Sequence, residues 1–200
     1  MNSVWPRSPR ARSLIEDAAI IEPLSYAVQV EVAQLRPVIE SIPRLDQIIA
    51  QQLALHPEHE LFESFPGAGP VYAPRLLTAF GTDRSRWESA ADLQCHSGIA
   101  PVTEQSGNTC WVHRRLACPN FIRQTFHEFA AQSIRWSTWA RAYYDQMRQR
   151  GLRHPAAIRA LAFKWIRIIY RCWKDRQPYD EEIHLKALRE KRSPVADKLD

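Results

Sequence analysis

Residues 119–151, PNFIRQTFHEFAAQSIRWSTWARAYYDQMRQRG, repeat apolar or small side chains at alternating steps of four and three. This spacing places those side chains on one face of an α-helix, with several arginines on the opposite face. The face consists of Ile122, Phe126, Phe129, Ser133, Trp136, Ala140, Tyr143 and Met147. The pattern predicts one long amphipathic helix that begins after Pro119 and closes at Gly151.

A second helix is predicted to follow His154-Pro155 and to stop at Pro178. Its apolar positions are Ile158, Leu161, Ala162, Trp165, Ile169 and Cys172. Two such helices with a short connection pack antiparallel as an αα-hairpin. Shorter helices are predicted upstream, over residues 60–65, 71–80 and 89–95. The predicted fold class is therefore all-α, ending in a long αα-hairpin.

Residues 24–55 carry a heptad-like apolar seam, which predicts a coiled-coil-like helical arm over residues 23–57. The seam consists of Val28, Leu35, Ile42 and Ile49, with Val32, Ile39 and Leu53 in the adjacent row. We expect the arm to pair with another helix, either in a second copy of the chain or in an upstream partner. Pro37 and Pro43 would each remove a helix hydrogen bond. A broken helix or two shorter helices are therefore an alternative to one continuous helix. An ordinary amphipathic helix packed on its own domain is a further alternative.

The ends of the chain have little apolar pattern. Residues 1–22 are predicted to be a disordered leader, and residues 189–200 a flexible charged tail. Between the arm and the tail, residues 58–188 form one predicted domain. No apolar run approaches the ~20 residues that cross a membrane, so no membrane partner is expected. The four cysteines form no regular framework, which favours a reducing cytoplasm.

Positive charge is concentrated in one part of the chain. The whole sequence has 27 Lys+Arg and 22 Asp+Glu, a net charge of +5. Residues 107–176 alone hold 14 basic and 3 acidic residues, interleaved with aromatic side chains. Basic and aromatic residues together suit nucleic acid, because they bind phosphates and base faces. The alternative is that the aromatics are core and the arginines a solvated helix face.

A glycine-rich turn, FPGAGP over residues 65–70, joins two of the predicted short helices. Helix, turn and helix together resemble the helix-hairpin-helix DNA-binding motif. Gly67 and Gly69 would let the turn approach a phosphate closely, and the next helix would present unpaired amides and a positive dipole end. A purely structural turn remains the alternative.

Residues 98–115, GIAPVTEQSGNTCWVHRR, place Ser106 and Gly107 in a predicted flexible loop just before Arg114 and Arg115. A small hydroxyl beside a glycine can meet a substrate closely, and arginines suit a phosphate rather than an uncharged carbonyl. The pattern therefore indicates a phosphodiester substrate. His113 and Arg123 are further candidate phosphate-binding residues. The alternative is an ordinary loop serine that makes a turn hydrogen bond.

Thiol and imidazole side chains near this loop raise the question of zinc. Cys110, His113 and Cys118 lie close together, with Cys95 and His96 upstream. Their spacing matches no common zinc pattern, so no metal site is predicted and buried free thiols are the preferred interpretation.

Three blocks of the sequence carry a family resemblance: FPGAGPVYAPRLLTAFGTDRSRWESA at 65–90, CHSGIAPVTEQSGNTCWVHRR at 95–115, and the AxAYY…RA…W…YD ending at 140–180. Together they resemble the C-terminal domain of the insertion-sequence 110/116/902 transposases, which are bridge-RNA-guided DNA recombinases. The resemblance covers residues 24–188. It implies that the serine of the SG step, Ser106, attacks DNA and forms a covalent phosphoserine link. It also implies DNA and a guide RNA as partners, and a nucleoid-associated protein of the bacterial cytoplasm.

The resemblance implies one further component. Members of that family carry an N-terminal ribonuclease-H-like domain whose four carboxylates bind Mg²⁺, whereas Glu16, Asp17 and Glu22 form no such constellation here. We therefore expect this chain to bind no cofactor itself, and Mg²⁺ to act only together with that domain. The isolated chain is expected to be inactive, as half of a split transposase or as a truncated one. The alternative is a non-catalytic nucleic-acid-binding remnant.

Overall fold

The computed structural model describes residues 17–191 and Ser193. These residues form eight α-helices and one two-stranded antiparallel sheet, so the all-α prediction is confirmed apart from that small sheet. The chain divides into two compact units between residues 49 and 50. No described helix is long and apolar enough to cross a lipid bilayer.

Helix α1 (Ala18–Ala54) is 37 residues long and makes up nearly all of the described part of the first unit. It runs without interruption through Pro23, Pro37 and Pro43, so the arm is one continuous helix and not two shorter ones. It begins at Ala18, which makes residues 18–22 of the predicted leader helical. The rest of that leader, residues 1–16, lies outside the described residues.

The predicted seam of α1 is exposed. Val28, Leu35, Ile42 and Ile49 are between 45% and 56% accessible to solvent. Only Leu53, in the last turn of the helix and already within the second unit, is buried. The first unit therefore carries an apolar stripe that none of its own described residues covers.

The second unit is a helical domain with one hairpin inserted in it. Its first three helices are α2 (His59–Glu63), α3 (Gly69–Phe80) and α4 (Ala90–His96). The strands β1 (Pro101–Ser106) and β2 (Thr109–Arg114) come next. The last four helices are α5 (Asn120–Ser133), α6 (Thr138–Gln149), α7 (His154–Asp175) and α8 (Glu181–Glu190).

Aromatic side chains fill the core of this unit around α7, which packs against α4, α5 and α6. The Trp165 ring meets Phe65 edge-on, with ring centroids 6.3 Å apart, and Phe129 at 5.3 Å. The Trp165 indole N–H donates to the Ser133 hydroxyl at 2.7 Å, and the buried Trp173 N–H donates to the Gly81 carbonyl at 2.7 Å. The large rings are thus buried without leaving an unpaired donor.

The prediction of one long helix over residues 119–151 is wrong, because the chain breaks between α5 and α6. Ser137 caps α6 by accepting from the Ala140 amide at 3.3 Å, and Glu181 of α8 accepts from the Thr138 amide at 2.9 Å. These acceptors satisfy amides at the new helix start, and a carboxylate there is favoured by the helix dipole. Trp136, predicted on the buried face, lies at the break and is 65% exposed.

The predictions of helices α7 and α4 are confirmed. Helix α7 starts at His154 and buries Ile158, Leu161 and Trp165, as its spacing predicts. Helix α4 starts at a capping box made by Ser89 and Asp92.

Helix α8 was not predicted. It extends to Glu190, two residues into the predicted tail, and residues 192 and 194–200 lie outside the described residues. The predicted αα-hairpin is therefore present in shorter form, because α7 packs against α6 and α5, the two pieces of its broken first helix.

The predicted flexible loop around Ser106 is a β-hairpin. Strands β1 and β2 pair antiparallel in a six-residue register that runs from Pro101 opposite Arg114 to Ser106 opposite Thr109. All side chains on both strands except Val102 and His113 are exposed. The hairpin therefore stands out into solvent on both faces.

Candidate functional site

Ser106 lies at the tip of the hairpin, directly before the two-residue turn of Gly107 and Asn108. Gly107 has a φ of 56°, and Asn108 is not among the described residues with positive φ. A positive φ at the first central position alone is the pattern of a type II′ turn, which requires glycine there. Ser106 is exposed, and within the described chain its hydroxyl has no hydrogen-bond partner. The turn hydrogen bond expected of an ordinary loop serine is therefore not made.

The strand alternation places Ser106, Glu104, Trp111 and His113 on one face of the hairpin. The His113 Nε2 atom lies 3.4 Å from a Glu104 carboxylate oxygen, and its ring centroid lies 5.4 Å from that of Trp111. His113 stands opposite Val102, four residues along β1 from Ser106. That separation is about 13 Å at about 3.3 Å per residue, so His113 does not reach the serine hydroxyl.

Arg114 lies at the other end of the hairpin from Ser106. It pairs with Pro101, five residues from the serine, and its side chain points to the opposite face. The distance along the strand is about 17 Å. The structure therefore does not bring the candidate nucleophile and this arginine to one phosphate.

Arg115 and Arg123 both lie at the root of the hairpin, near Gly98 and Cys118. Arg123 donates to the Cys118 sulfur at 3.4 Å and to the Asn120 side-chain oxygen at 2.6 Å. Cys118 in turn packs against Gly98, and the Arg115 carbonyl lies within 3.5 Å of the position that a Cβ at Gly98 would occupy. The Nε atom of Arg115 is buried and has no acceptor among the described residues.

The suggested zinc ligands do not form a site. Cys110 lies on the face of the hairpin opposite to His113, because the two are three residues apart on one strand. Nowhere in the described ranges do three His, Cys, Asp or Glu side chains come together in a way that could hold a metal ion. Cys95 and Cys110 are exposed, so the prediction of buried thiols is wrong for them. Cys172 is partly buried, as that prediction expects, and burial raises the pKa of its thiol to about 11.

The glycine-rich turn between α2 and α3 is present, with φ of 79° at Gly67 and 47° at Gly69. A Cβ at Gly67 would lie 2.7 Å from the Trp136 ring, so the close approach at this position is to tryptophan. Gly69 has open space around it and begins α3. Of the two glycines, Gly69 is therefore the one with open space beside its backbone. That the pair is a DNA-binding helix-hairpin-helix stays a prediction.

Residues 59–145 match the Transposase IS116/IS110/IS902 family. The match spans the glycine-rich turn, the whole hairpin with Ser106, and α5. The chain belongs, through this segment, to the IS116/IS110/IS902 transposase family. The blocks quoted from the sequence thus identified the family correctly.

Similarity to individual proteins extends beyond residues 59–145 and covers most of the chain. A mini-circle transposase assigned to IS117 of Streptomyces coelicolor is 32% identical over 178 residues, which is 88% of this chain and 42% of that protein. The 44.8 kDa protein of insertion element IS116 of Streptomyces clavuligerus is 30% identical over 87% of this chain and 40% of its own length. The pilin gene-inverting protein of Moraxella bovis is 28% identical over 89% of this chain and 58% of its own length. The chain thus spans about half the length of these relatives.

One residue near the root of the hairpin was missed in the sequence. Arg159 of α7 is half-buried, and burial, followed by the charges of Arg114 and Arg123, lowers the pKa of its guanidinium. The sequence feature that could have indicated Arg159 is its position directly after Ile158, at the edge of the apolar face of α7. For this member of the IS116/IS110/IS902 family, the arginines at the root and the serine at the tip form two separate groups.

Proposed function

We propose that this chain binds DNA and carries the serine nucleophile of a DNA transposition or recombination reaction. The observation that carries the proposal is the Ser106 hydroxyl, which is exposed at the tip of a hairpin within the family segment and has no hydrogen-bond partner among the described residues. The relatives include a protein described as a transposase and one named for inverting a pilin gene, which supports DNA as the substrate.

In the proposed reaction the Ser106 oxygen attacks the phosphorus of a DNA phosphodiester. A new oxygen–phosphorus bond forms as the Ser106 hydroxyl gives up its proton, while the bond from phosphorus to the leaving deoxyribose oxygen breaks and that oxygen takes up a proton. A serine hydroxyl is a weak nucleophile at neutral pH and needs a base or a metal to activate it. Neither His113 nor any other described side chain donates to or accepts from Ser106, so this activation has to be supplied when DNA or a partner binds.

Mg²⁺ is the metal that the family resemblance implies, and the described residues do not fit it. Magnesium binding in phosphoryl transfer uses carboxylates that converge on one or two ions. No such group of acidic side chains comes together in the described part of the chain. We therefore propose that the carboxylates come from a ribonuclease-H-like partner domain, and we assign no step of the reaction to Mg²⁺ bound by these residues.

DNA contacts are proposed at two places besides Ser106. The first is the start of α3 at Gly69, where a helix N-terminus suits a phosphate without reading the base sequence. The second is the group of positive charges at the hairpin root, formed by Arg114, Arg115 and Arg123. A guide RNA remains a proposed partner on the family resemblance alone.

The arm is proposed to assemble the active species. The exposed apolar stripe of α1, residues 24–55, suits a second helix of the same kind. Its partner is either the arm of a second copy or a matching helix of the domain that supplies the carboxylates.

The experiment that tests the proposed function measures binding and covalent attachment separately. The purified chain is incubated with Mg²⁺ and duplex DNA from a family-type insertion site, followed by denaturing electrophoresis of labelled DNA. We expect DNA binding by the chain and by Ser106→Ala, and no covalent attachment to unmodified DNA by either. Efficient Ser106-dependent attachment by the chain without a partner would contradict the proposed need for partner carboxylates. Absence of DNA binding would contradict the proposal as a whole.

The second candidate function is a non-catalytic nucleic-acid-binding module. It is favoured by the absence, in the described residues, of any base bonded to Ser106 or of a carboxylate cluster. The two candidates differ in the reactivity of Ser106 itself, because only a nucleophile reacts with a DNA phosphorus whose leaving group is already activated.

A further inference from the structure

A series of hydrogen bonds fixes the root of the hairpin on helix α7. The amides of Ile99 and Ala100 donate to the Gln94 carbonyl at 3.1 and 2.9 Å. The Gln94 side chain then donates to the Phe163 carbonyl of α7 at 2.8 Å. Phe163 lies one helical turn after Arg159, so the root stands over the part of α7 that carries Arg159.

Arg114 belongs to this root, because it pairs with Pro101, the residue that follows Ala100. Helix α5 packs on α7 and contributes Arg123, whose guanidinium contacts Cys118 at the same root. Three arginines from three different elements therefore lie in this part of the domain. Burial lowers the pKa of Arg159, and the charges of Arg114 and Arg123 lower it further, as expected for cations at short range.

No ion pair among the described residues neutralises this positive charge. The ion pairs among the described residues involve Arg75, Arg84, His113 and Arg171, and none involves the arginines of the root. The adjacent Arg115 also has a buried Nε atom that finds no acceptor in the part of the chain that the structure describes. A folded protein that gathers like charges and leaves a buried donor unpaired is less stable than one in which an anion binds them.

We propose that Arg114, Arg123 and Arg159 form a binding site for a backbone phosphate of DNA, and this inference rests on the proposed function. The site lies about 17 Å along the hairpin from Ser106, which corresponds to about five base steps of duplex DNA at about 3.4 Å each. It therefore holds a flanking phosphate and not the attacked one. We take DNA as the ligand because a duplex that reaches Ser106 and runs along the hairpin would place a phosphate at its root, about 17 Å away.

The test is the salt dependence of DNA binding by the full chain. The dissociation constant of a fluorescent duplex is measured between 50 and 300 mM salt for the chain and for Arg159→Gln. The control is Arg167→Gln, an exposed arginine two turns further along α7, which changes the net charge equally. Loss of one phosphate contact lowers the slope of log K against log salt by about 1 and weakens binding about fivefold near 0.15 M salt. We expect the lower slope and the weaker binding for Arg159→Gln and for Arg123→Gln, and neither change for Arg167→Gln.

An unchanged slope in both Arg159→Gln and Arg123→Gln would overturn the site, and so would an equal loss in Arg167→Gln. A loss of affinity for an RNA duplex with none for the DNA duplex would overturn DNA as the ligand. Because two variants at different elements are compared, misfolding of one does not decide the result. Failure of the proposed nucleophilic role is distinguishable from failure of this site. It appears as equal reaction of Ser106→Ala and the unaltered chain with DNA whose leaving group is already activated, whatever the salt slope of Arg159→Gln.

Discussion

Gly98 lies directly against Cys118 at the root of the hairpin. A Cβ at position 98 would overlap the Cys118 sulfur and stand 2.9 Å from the Cys118 Cβ, and Gly98 has a φ of 68°. Both the space and the backbone conformation thus require glycine at this position. The contact holds the segment before β1 against the segment after β2, and so sets where the hairpin leaves the domain.

Gly98→Ala is expected to destabilise the protein strongly. The overlap with Cys118 and the positive φ together predict a loss of about 2–4 kcal/mol in the free energy of unfolding. Gly107→Ala is the matched control, because Gly107 also has a positive φ but nothing lies within 4 Å of its would-be Cβ. It should lose only about 1 kcal/mol. Urea unfolding measures both, and equal losses would show that the contact with Cys118 has no importance.

Glu181→Ala is expected to weaken the start of α6. The Glu181 carboxylate accepts from the Thr138 amide and from the hydroxyls of Ser137 and Thr138. Loss of a helix-capping acceptor lowers stability by about 1–2 kcal/mol. Glu182→Ala removes an exposed carboxylate from the same turn and should change stability by less than about 0.5 kcal/mol. A thermal unfolding comparison checks the pair, and the cap is refuted if the two variants unfold alike.

This cap explains why the helix break was not predicted. The spacing of apolar residues over 119–151 continues through the break without interruption, so periodicity alone favours one helix. The acceptor that stabilises the break, Glu181, comes from more than forty residues away. By contrast, α3 and α7 have local signals, Gly81 after the first and Pro155 at the start of the second, and both were predicted closely.

The β-hairpin was not predicted either, but for a reason that differs from that of the helix break. Strands are found in a sequence by apolar side chains that alternate with polar ones, because one face is normally buried. Here nearly every side chain of β1 and β2 is exposed, so that no such alternation exists. Ser106 was found because of its neighbours in sequence, but its distance from Arg114 depends on the strand register and was not predictable. Arg159 became recognisable only once Gln94 and Phe163 were seen to connect the hairpin root to α7.

Stability is expected to fall as the pH drops below neutral. Burial lowers the pKa of His127 and His184 from the ordinary value of 6.5. The unfolded chain therefore binds their protons more tightly, so their contribution is complete above about pH 6.5 and is lost progressively below it. The double variant His127→Gln/His184→Gln should show a smaller change in unfolding free energy between pH 7 and pH 5. The exposed His96→Gln is the control, and an identical pH profile for the double variant and the unaltered chain would contradict the expectation.

The arm is expected to drive self-association. Leu35→Glu/Ile42→Glu places charges on the exposed apolar seam of α1 and should shift the chain to a monomer in sedimentation velocity. Gln29→Glu, one position from the seam residue Val28, adds a charge beside the seam and should leave the assembly intact. If the unaltered chain is already monomeric at micromolar concentration, pairing between copies is excluded, and the domain that supplies the carboxylates remains as the partner of the arm.

The nucleophilic role of Ser106 is best examined with DNA that needs no help from a metal to release its leaving group. A duplex with a bridging phosphorothiolate at the insertion site has a thiolate leaving group, which departs without the protonation that an alkoxide requires. Incubation with the chain, protease digestion and mass spectrometry then locate any covalent adduct. We expect a DNA adduct on Ser106 that Ser106→Ala lacks, while Thr109→Ala, directly opposite on β2, retains it. No adduct, or an adduct on another residue that forms equally in Ser106→Ala, would contradict this role and leave a DNA-binding module.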